Sequence, residues 1–215
     1  MTRFDYLRDP VEIERQSFAQ IRQLTDLSGF DADQQQVAIR LVHTSGDPNI
    51  IHDLRFSPGA VGAGLAALEQ SADILCDIEM VSHGISKSYL HSAVYCFLNT
   101  PAVIDRARLA RETRTMAAMA EWPAHLAGSI AVIGNAPTAL FRLLELLEEG
   151  APRPALIIGM PVGFINAAES KQALWNLAPT EFQTPCITLL GRRGGSSLAA
   201  ATLNALARMT KGIRF

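Results

Sequence analysis

The sequence predicts an α/β domain in which a mostly parallel, doubly wound sheet of about five strands is flanked by helices. Three observations point there. Short apolar runs at residues 130–133, 155–158 and 187–190 each end in a glycine-bearing loop. Stretches of helical length and spacing separate these runs. With 215 residues, 48% of them apolar, the chain has material for one large core and nothing that divides it, so residues 1–215 read as a single domain.

Taken in order, residues 10–25 place Val11, Ile13, Phe18, Ile21 and Leu24 at amphipathic-helix spacing, with Asp9 as N-cap and Pro10 in the first turn. A second helix starts near Phe30-Asp31-Ala32-Asp33 and is broken by Ser45-Gly46-Asp47-Pro48, which puts His43 near its C-terminus. A third begins at Ser57-Pro58 and runs to Gln70. Residues 73–80 then read as the first central strand and residues 94–98 as the next. Residues 101–126 form a long helix or a pair of helices, and helices at 136–149 and 169–177 separate the three strands already named. An Ala-rich helix over 196–209 closes the fold. Gly150 with Pro152 and Pro154 reads as a helix cap and short connection rather than a linker.

The formal charge of −2 gives no overall basic field, so nucleic acid is not an expected partner and an anionic ligand must be held by local donors. Cys76, Cys96 and Cys186 stand far apart with no C-x-x-C, which suggests neither a disulfide framework nor a zinc site, and a reducing compartment. Met1-Thr2-Arg3-Phe4-Asp5 lacks the apolar core of a signal peptide, and no apolar run approaches the roughly 20 residues needed to span a bilayer. A cytoplasmic protein that does not enter a membrane is expected.

In an open α/β sheet ligands sit beyond the carboxyl ends of the strands, where backbone N–H groups and helix N-termini point into one crevice. Three such loops side by side, Gly134-Asn135, Gly159 to Gly163 and Gly191 to Ser197, suggest a large ligand with several negative groups. Gly62-Ala63-Gly64-Leu65-Ala66-Ala67 fits a dinucleotide fingerprint but follows Phe56-Ser57-Pro58 rather than a strand, so it reads as a close-packed helix face. No P-loop is present, and no nucleotide or nicotinamide cofactor is expected. Asp77 and Glu79, two apart at a strand end, share a face and suit either an acid/base pair or structural acceptors. His83 follows in an extended segment that turns at Gly84, and no second ligand cluster supports a metal. Of the five histidines His43 is the best catalytic candidate, because helix C-terminal carbonyls favour its protonated form beside a cleft. Arg106, Arg108, Arg111 and Arg114 suit a solvated helix face, whereas Arg192-Arg193, next to glycines, have better access to a ligand carboxylate.

Several long motifs then point to one family. Leu126-Ala127-Gly128-Ser129, Ile133-Gly134-Asn135-Ala136-Pro137-Thr138, Gly159-Met160-Pro161-Val162-Gly163-Phe164 and Ala167-Ala168-Glu169-Ser170-Lys171 closely resemble precorrin-8X methylmutase. The likeness also takes in Arg15-Gln16-Ser17-Phe18, Val42-His43-Thr44-Ser45-Gly46-Asp47, Phe56-Ser57-Pro58, Cys76-Asp77-Ile78-Glu79-Met80-Val81 and Gly194-Gly195-Ser196.

The resemblance implies a flavodoxin-like fold, a homodimer, no added cofactor or metal, and a corrinoid substrate bound near the subunit interface. The implied reaction of cobalamin biosynthesis moves a methyl group from C-11 to C-12 of precorrin-8X to give hydrogenobyrinate. A cobalt-precorrin-8 substrate giving cobyrinate is the related alternative, and a noncatalytic tetrapyrrole carrier is the rival from another class. His43 matches the family's catalytic histidine, held to protonate or hydrogen-bond a ring nitrogen beside the migrating centre. Ser17 matches a substrate-contacting serine and Arg114 an active-site arginine. Ser86 and Lys87 stand where some relatives carry Thr-Arg, which keeps a hydroxyl and a cation but loses Arg's two-pronged donor. The Gly134-Asn135 and Gly194-Gly195-Ser196 loops are expected to donate N–H groups to the substrate's carboxylates. A pericyclic shift needs no nucleophile or redox centre, only a bound macrocycle and stabilised charge redistribution.

Overall fold

The computed structural model describes residues 4–215, so Met1, Thr2 and Arg3 of the segment read against a signal peptide lie outside it. Two helices open the chain, α1 (Pro10–Leu24) and α2 (Ala32–Ser45). Asp9 caps α1 by accepting from the Glu12 N–H, and Asp31 forms a capping box with Gln34 on α2. A 3₁₀ turn (Pro48–His52) leads to β1 (Leu54–Phe56) and α3 (Ala60–Glu69). Then come β2 (Ile74–Cys76), α4 (Glu79–Gly84), a 3₁₀ turn (Lys87–Tyr89) and β3 (Val94–Tyr95). The second half runs α5 (Pro101–Ala110), α6 (Arg114–Ala118), a 3₁₀ stretch (Met119–Ala124), β4 (Ile130–Ile133) and α7 (Pro137–Glu148). It ends with β5 (Leu156–Gly159), α8 (Ala167–Leu177), β6 (Cys186–Leu189) and α9 (Ser196–Met209).

The sheet order is β1-β6-β5-β4-β2-β3. Five strands are parallel and follow the flavodoxin order once β1 is set aside, with Ile74 opposite Ile130, Ile130 opposite Leu156, and Ile157 opposite Cys186. The expected five become six because Leu54–Phe56, unassigned from the sequence, pairs antiparallel with β6 at the edge. Every residue of β4, β5 and β6 is buried, as expected of parallel strands covered on both faces.

The two-residue alternation divides the core. Ile130, Val132, Leu156, Ile158, Ile187 and Leu189 face the cluster formed with α2, α3 and α9, while Ala131, Ile133, Ile157 and Cys186 face α7 and α8. α9 is buried at 12 of its 14 residues, and its alanines let α2, α3 and α4 approach closely.

Three expectations need correction. The strand expected over 73–80 stops at Cys76, because the Asp77 N–H still reaches Val132 O (3.2 Å) while its side chain turns toward the β4 loop, and α4 begins two residues later. The expected strand over 94–98 is shortened to Val94–Tyr95. Of the two readings of residues 101–126 the pair of helices holds, α5 being closed by Arg111 with a left-handed φ of 57° before α6 and its 3₁₀ stretch. A strand does precede the glycine-rich segment, but Ser57-Pro58-Gly59 intervenes and both glycines lie inside α3. There a Cβ on Gly64 would come 2.8 Å from the side chains of Leu156 and Leu206, so close packing explains the glycine.

Candidate active site

The topological switch point of this sheet lies between β2 and β4, where a crevice opens at the strands' carboxyl ends. A cavity of about 400 Å³ sits there, lined by Ile78, Leu98, Arg114, Asn135 and Thr138 among others. Arg114, the first residue of α6, is exposed and donates from Nη1 to Asn99 Oδ1 (3.1 Å). It therefore faces the crevice and not the far side of the molecule.

The floor of the crevice is built by Asp77. Its Oδ1 accepts the Gly134 N–H (3.0 Å), and its Oδ2 accepts those of Asn135 and Ala136 (both 2.9 Å). Burial pushes its pKa up, and the three amides pull it back. One expectation fails at this loop. The Gly134 and Asn135 amides are committed to a carboxylate of the protein itself, so what Asn135 offers a ligand is its exposed side chain. Of the two readings of Asp77 and Glu79, the structural acceptor holds for Asp77 rather than the acid/base pair, because Asp77 is only 1% exposed and the chain turns into a helix before Glu79. Glu79 instead accepts from Asn99 (3.4 Å) and lies 3.9 Å from His83 Nδ1, a helical i,i+4 pair rather than the extended segment expected. Among the described residues no group of three or more potential metal ligands occurs. Gly134 is glycine for packing: a Cβ would meet Val81 at 2.8 Å and the Ser196 backbone at 2.9 Å.

The second loop, at the start of α9, is likewise tied down from behind. The Gly195 N–H donates to Met160 O (2.8 Å), the Gly163 N–H to Arg192 O (3.2 Å), and a Cβ on Gly194 would run into the carbonyls of Met160 and Pro161. Gly195 is thus not an open donor as expected, and Ser196 is buried as the first residue of α9. Arg193 is no ligand receptor but a clamp. It donates to Asp47 (2.5 Å), Asp53 (2.7 Å) and Asn49 O (3.2 Å), joining this loop to the segment that leaves α2. Arg192 lies over the Phe164 ring at 5.7 Å.

Lys171 on α8 supports the same loop by donating to Arg193 O. Its side chain is 0% exposed and burial lowers its pKa to about 8, opposed by Asp53. The sequence held a signal for it: Ala167, Ser170, Lys171 and Leu174 share one buried helix stripe, so a lysine stands where an apolar residue belongs.

The third group lies on the α1–α2 side of α9. His43 occupies the exposed last turn of α2, its ring 5.2 Å from that of Phe18, and Ser17 precedes Phe18 on α1 half-buried. Partial burial and the Arg40 guanidinium lower the His43 pKa, with Glu14 working against them, so the protonated form is disfavoured, contrary to the helix-end expectation. On the other flank of α9, Asn204 takes the Ser86 N–H on its Oδ1 (2.8 Å) and donates to Gly84 O (2.8 Å). The exposed Lys87 is thereby set at the head of its 3₁₀ turn. Within one chain His43 packs on Phe18 while Arg114 bonds Asn99 and lines the crevice cavity, which His43 does not line, and no hydrogen bond, ion pair or ring contact joins the two among the described residues.

The precorrin-8X methylmutase (CbiC) family profile matches residues 12–209. The Pseudomonas aeruginosa precorrin-8X methylmutase is 51% identical over 94% of this chain and 97% of its own length, and a Sinorhizobium protein of the same name is 47% identical over 97% and 99%. Relatives named cobalt-precorrin-8 methylmutase stand lower, at 34% to 38% for the Priestia megaterium and Methanothermobacter thermautotrophicus chains. The solved Thermus thermophilus precorrin-8X methylmutase superposes with a TM-score of 0.83 at 39% identity, covering 93% of this chain and 98% of that one. A match over nearly the whole length, in sequence and in fold, leaves one conclusion: the chain belongs to the precorrin-8X methylmutase family.

Proposed function

We propose that this chain is a single-domain, cytoplasmic, homodimeric isomerase of cobalamin biosynthesis that moves a methyl group from C-11 to C-12 of precorrin-8X to give hydrogenobyrinate. The observation that carries the reading is His43, exposed on the last turn of α2 inside its complete motif, with its ring against Phe18 and Ser17 alongside. His43 gives a proton or hydrogen bond to a ring nitrogen as charge redistributes in the conjugated system, and the bound macrocycle supplies the rest of the chemistry. Ser17, Ser86 and Lys87 contact the substrate around α9, while Arg114, the Asn135 side chain and Gly194 contact it at the carboxyl edge. Asp77, Lys171 and Arg193 keep those loops rigid, so orientation of the macrocycle costs little at the moment of reaction.

A second copy of the chain completes the site. Support comes from the separation of His43 and Arg114 within one chain, and from Phe164 and Ile165, which lie 87% and 80% exposed on the β5 loop at the sheet's carboxyl edge. The cobalt-free substrate is favoured because the relatives carrying that name are 51% and 47% identical, above those named for cobalt-precorrin-8. The test is incubation with precorrin-8X and with cobalt-precorrin-8 in parallel, following the visible spectrum and isolating the product. Faster conversion of precorrin-8X to hydrogenobyrinate is expected. Binding without conversion of either compound would favour a carrier instead.

A further inference from the structure

Arg40 stands one turn before His43 on α2, half-buried, and its side chain makes no hydrogen bond or ion pair among the described residues. Its Nε is fully enclosed without an acceptor. The same holds for Nε of Arg208 on α9, although that residue's Nη2 reaches Glu14 (3.1 Å). The two guanidinium groups lie over the ring of Phe215, at 5.9 Å and 4.8 Å from its centre. Phe215 packs in turn on Phe18 (4.4 Å), whose ring meets His43. Phe18, Arg208 and Phe215 border a cavity of about 400 Å³. Arg40 stands behind that lining, against the Phe215 ring, and the lining arginines other than Arg208 are already engaged: Arg15 with Glu12, Arg22 with Phe215 O, and Arg214 with Asp33.

A guanidinium carries five donors in a fixed fork, and enclosing it without an acceptor costs stability that proteins ordinarily recover by pairing. An arginine that merely extended its head into water would not leave its Nε enclosed. Nor is it paired inside the protein: a ring face lies against it, the Arg208 cation opposes it, and Glu14 and Tyr89 act on it electrostatically without a hydrogen bond or ion pair among the described residues. The missing element is an anion, and the geometry that suits it is a carboxylate, which takes the fork with two parallel hydrogen bonds.

We propose that Arg40, backed by Arg208, receives a carboxylate of the corrinoid substrate beside His43. The inference rests on the corrinoid reading of this site. It also links binding to proton transfer. His43 is faced by Arg40 from α2, which disfavours its proton, and by Glu14 from α1, which favours it, while Arg40 is itself acted on by Arg208 of α9, by Glu14 and by Tyr89. An incoming carboxylate offsets the Arg40 charge, so His43 holds its proton more readily once the macrocycle has arrived.

The test compares wild type, Arg40→Met and Arg40→Lys as full chains, measuring the melting temperature without ligand, the Kd for hydrogenobyrinate, and the pH profile of kcat/KM with precorrin-8X. Loss of a charge-assisted hydrogen-bonded pair predicts a Kd weaker by about 10- to 100-fold in Arg40→Met, with partial recovery in Arg40→Lys. Because a half-buried cation with an unpaired, enclosed Nε has been removed, ligand-free Arg40→Met melts at or above the wild-type temperature, and its free-enzyme His43 limb moves to higher pH. Arg40→Met that binds product as tightly as a functional wild type overturns the inference alone. So does a fall in melting temperature in both variants with the His43 limb unmoved, which marks a structural role. A wild type that neither binds nor converts corrinoids overturns the functional reading and this inference with it.

Discussion

Replacing Asp77 separates a structural anchor from a catalytic acid. Its two oxygens take three amide donors of the β4 loop at 2.9–3.0 Å, and the side chain is buried. Asp77→Ala leaves those donors without acceptors at roughly 1–3 kcal/mol each, offset in part because a carboxylate no longer has to be buried, for a net loss of about 4 kcal/mol. For a domain of this size each kcal/mol moves the melting temperature by about 2–4 °C, so a drop of about 8–16 °C is expected. Asp77→Asn keeps one acceptor but turns a donor toward the Asn135 and Ala136 amides, and destabilises by about half as much. Thermal and urea unfolding at neutral pH read both variants against wild type. Should Asp77→Asn melt like the wild type yet lose turnover, the anchor assignment is wrong and Asp77 acts on the substrate.

Turnover by His43→Ala is expected to fall about 10²–10⁴-fold while its melting temperature and product affinity stay near wild type, because an exposed helix-end side chain leaves no cavity; steady-state kinetics with product titration checks this. Arg114→Lys is expected to raise KM more than it lowers kcat, since the charge survives and the two-pronged geometry does not. The Lys171 pKa of about 8 lies below the ordinary 10.5, so the unfolded chain binds more protons between these values and stability rises with pH across that window. The gain, lost again as pH falls through about 8, amounts to no more than about 3 kcal/mol, and the difference in unfolding free energy between wild type and Lys171→Met as a function of pH should show it.

How much of this could be read from the sequence follows from where the physical constraint sits. Residues 130–133 were readable to the residue because a strand covered on both faces must be apolar throughout, and α9 because small residues recur over its full length. Leu54–Phe56 was not, since three residues on an edge carry no periodicity. The segment after Cys76 failed for a different reason: its helix is forced by Asp77 capping a loop 57 residues away, and no local pattern encodes that partner. The glycine loops were placed correctly at the strand ends, but their amides are taken by Asp77 and Met160, so the sequence located the crevice without revealing which donors remain for a ligand. Arg193 next to glycines looked like a receptor and proved a clamp, because Asp47 and Asp53 are distant from it in sequence. His43 was singled out by its helix-end position as well as by its motif, Arg114 came from a family motif alone, and no spacing in a single chain relates the two.

The most direct measurement is the crystal structure of the protein with hydrogenobyrinate. The account predicts a dimer with the macrocycle reaching the carboxyl ends of the strands, a ring nitrogen within hydrogen-bonding distance of His43, and a substrate carboxylate on Arg114. An active monomer, or a product lodged at the amino ends of the strands away from His43, would contradict it.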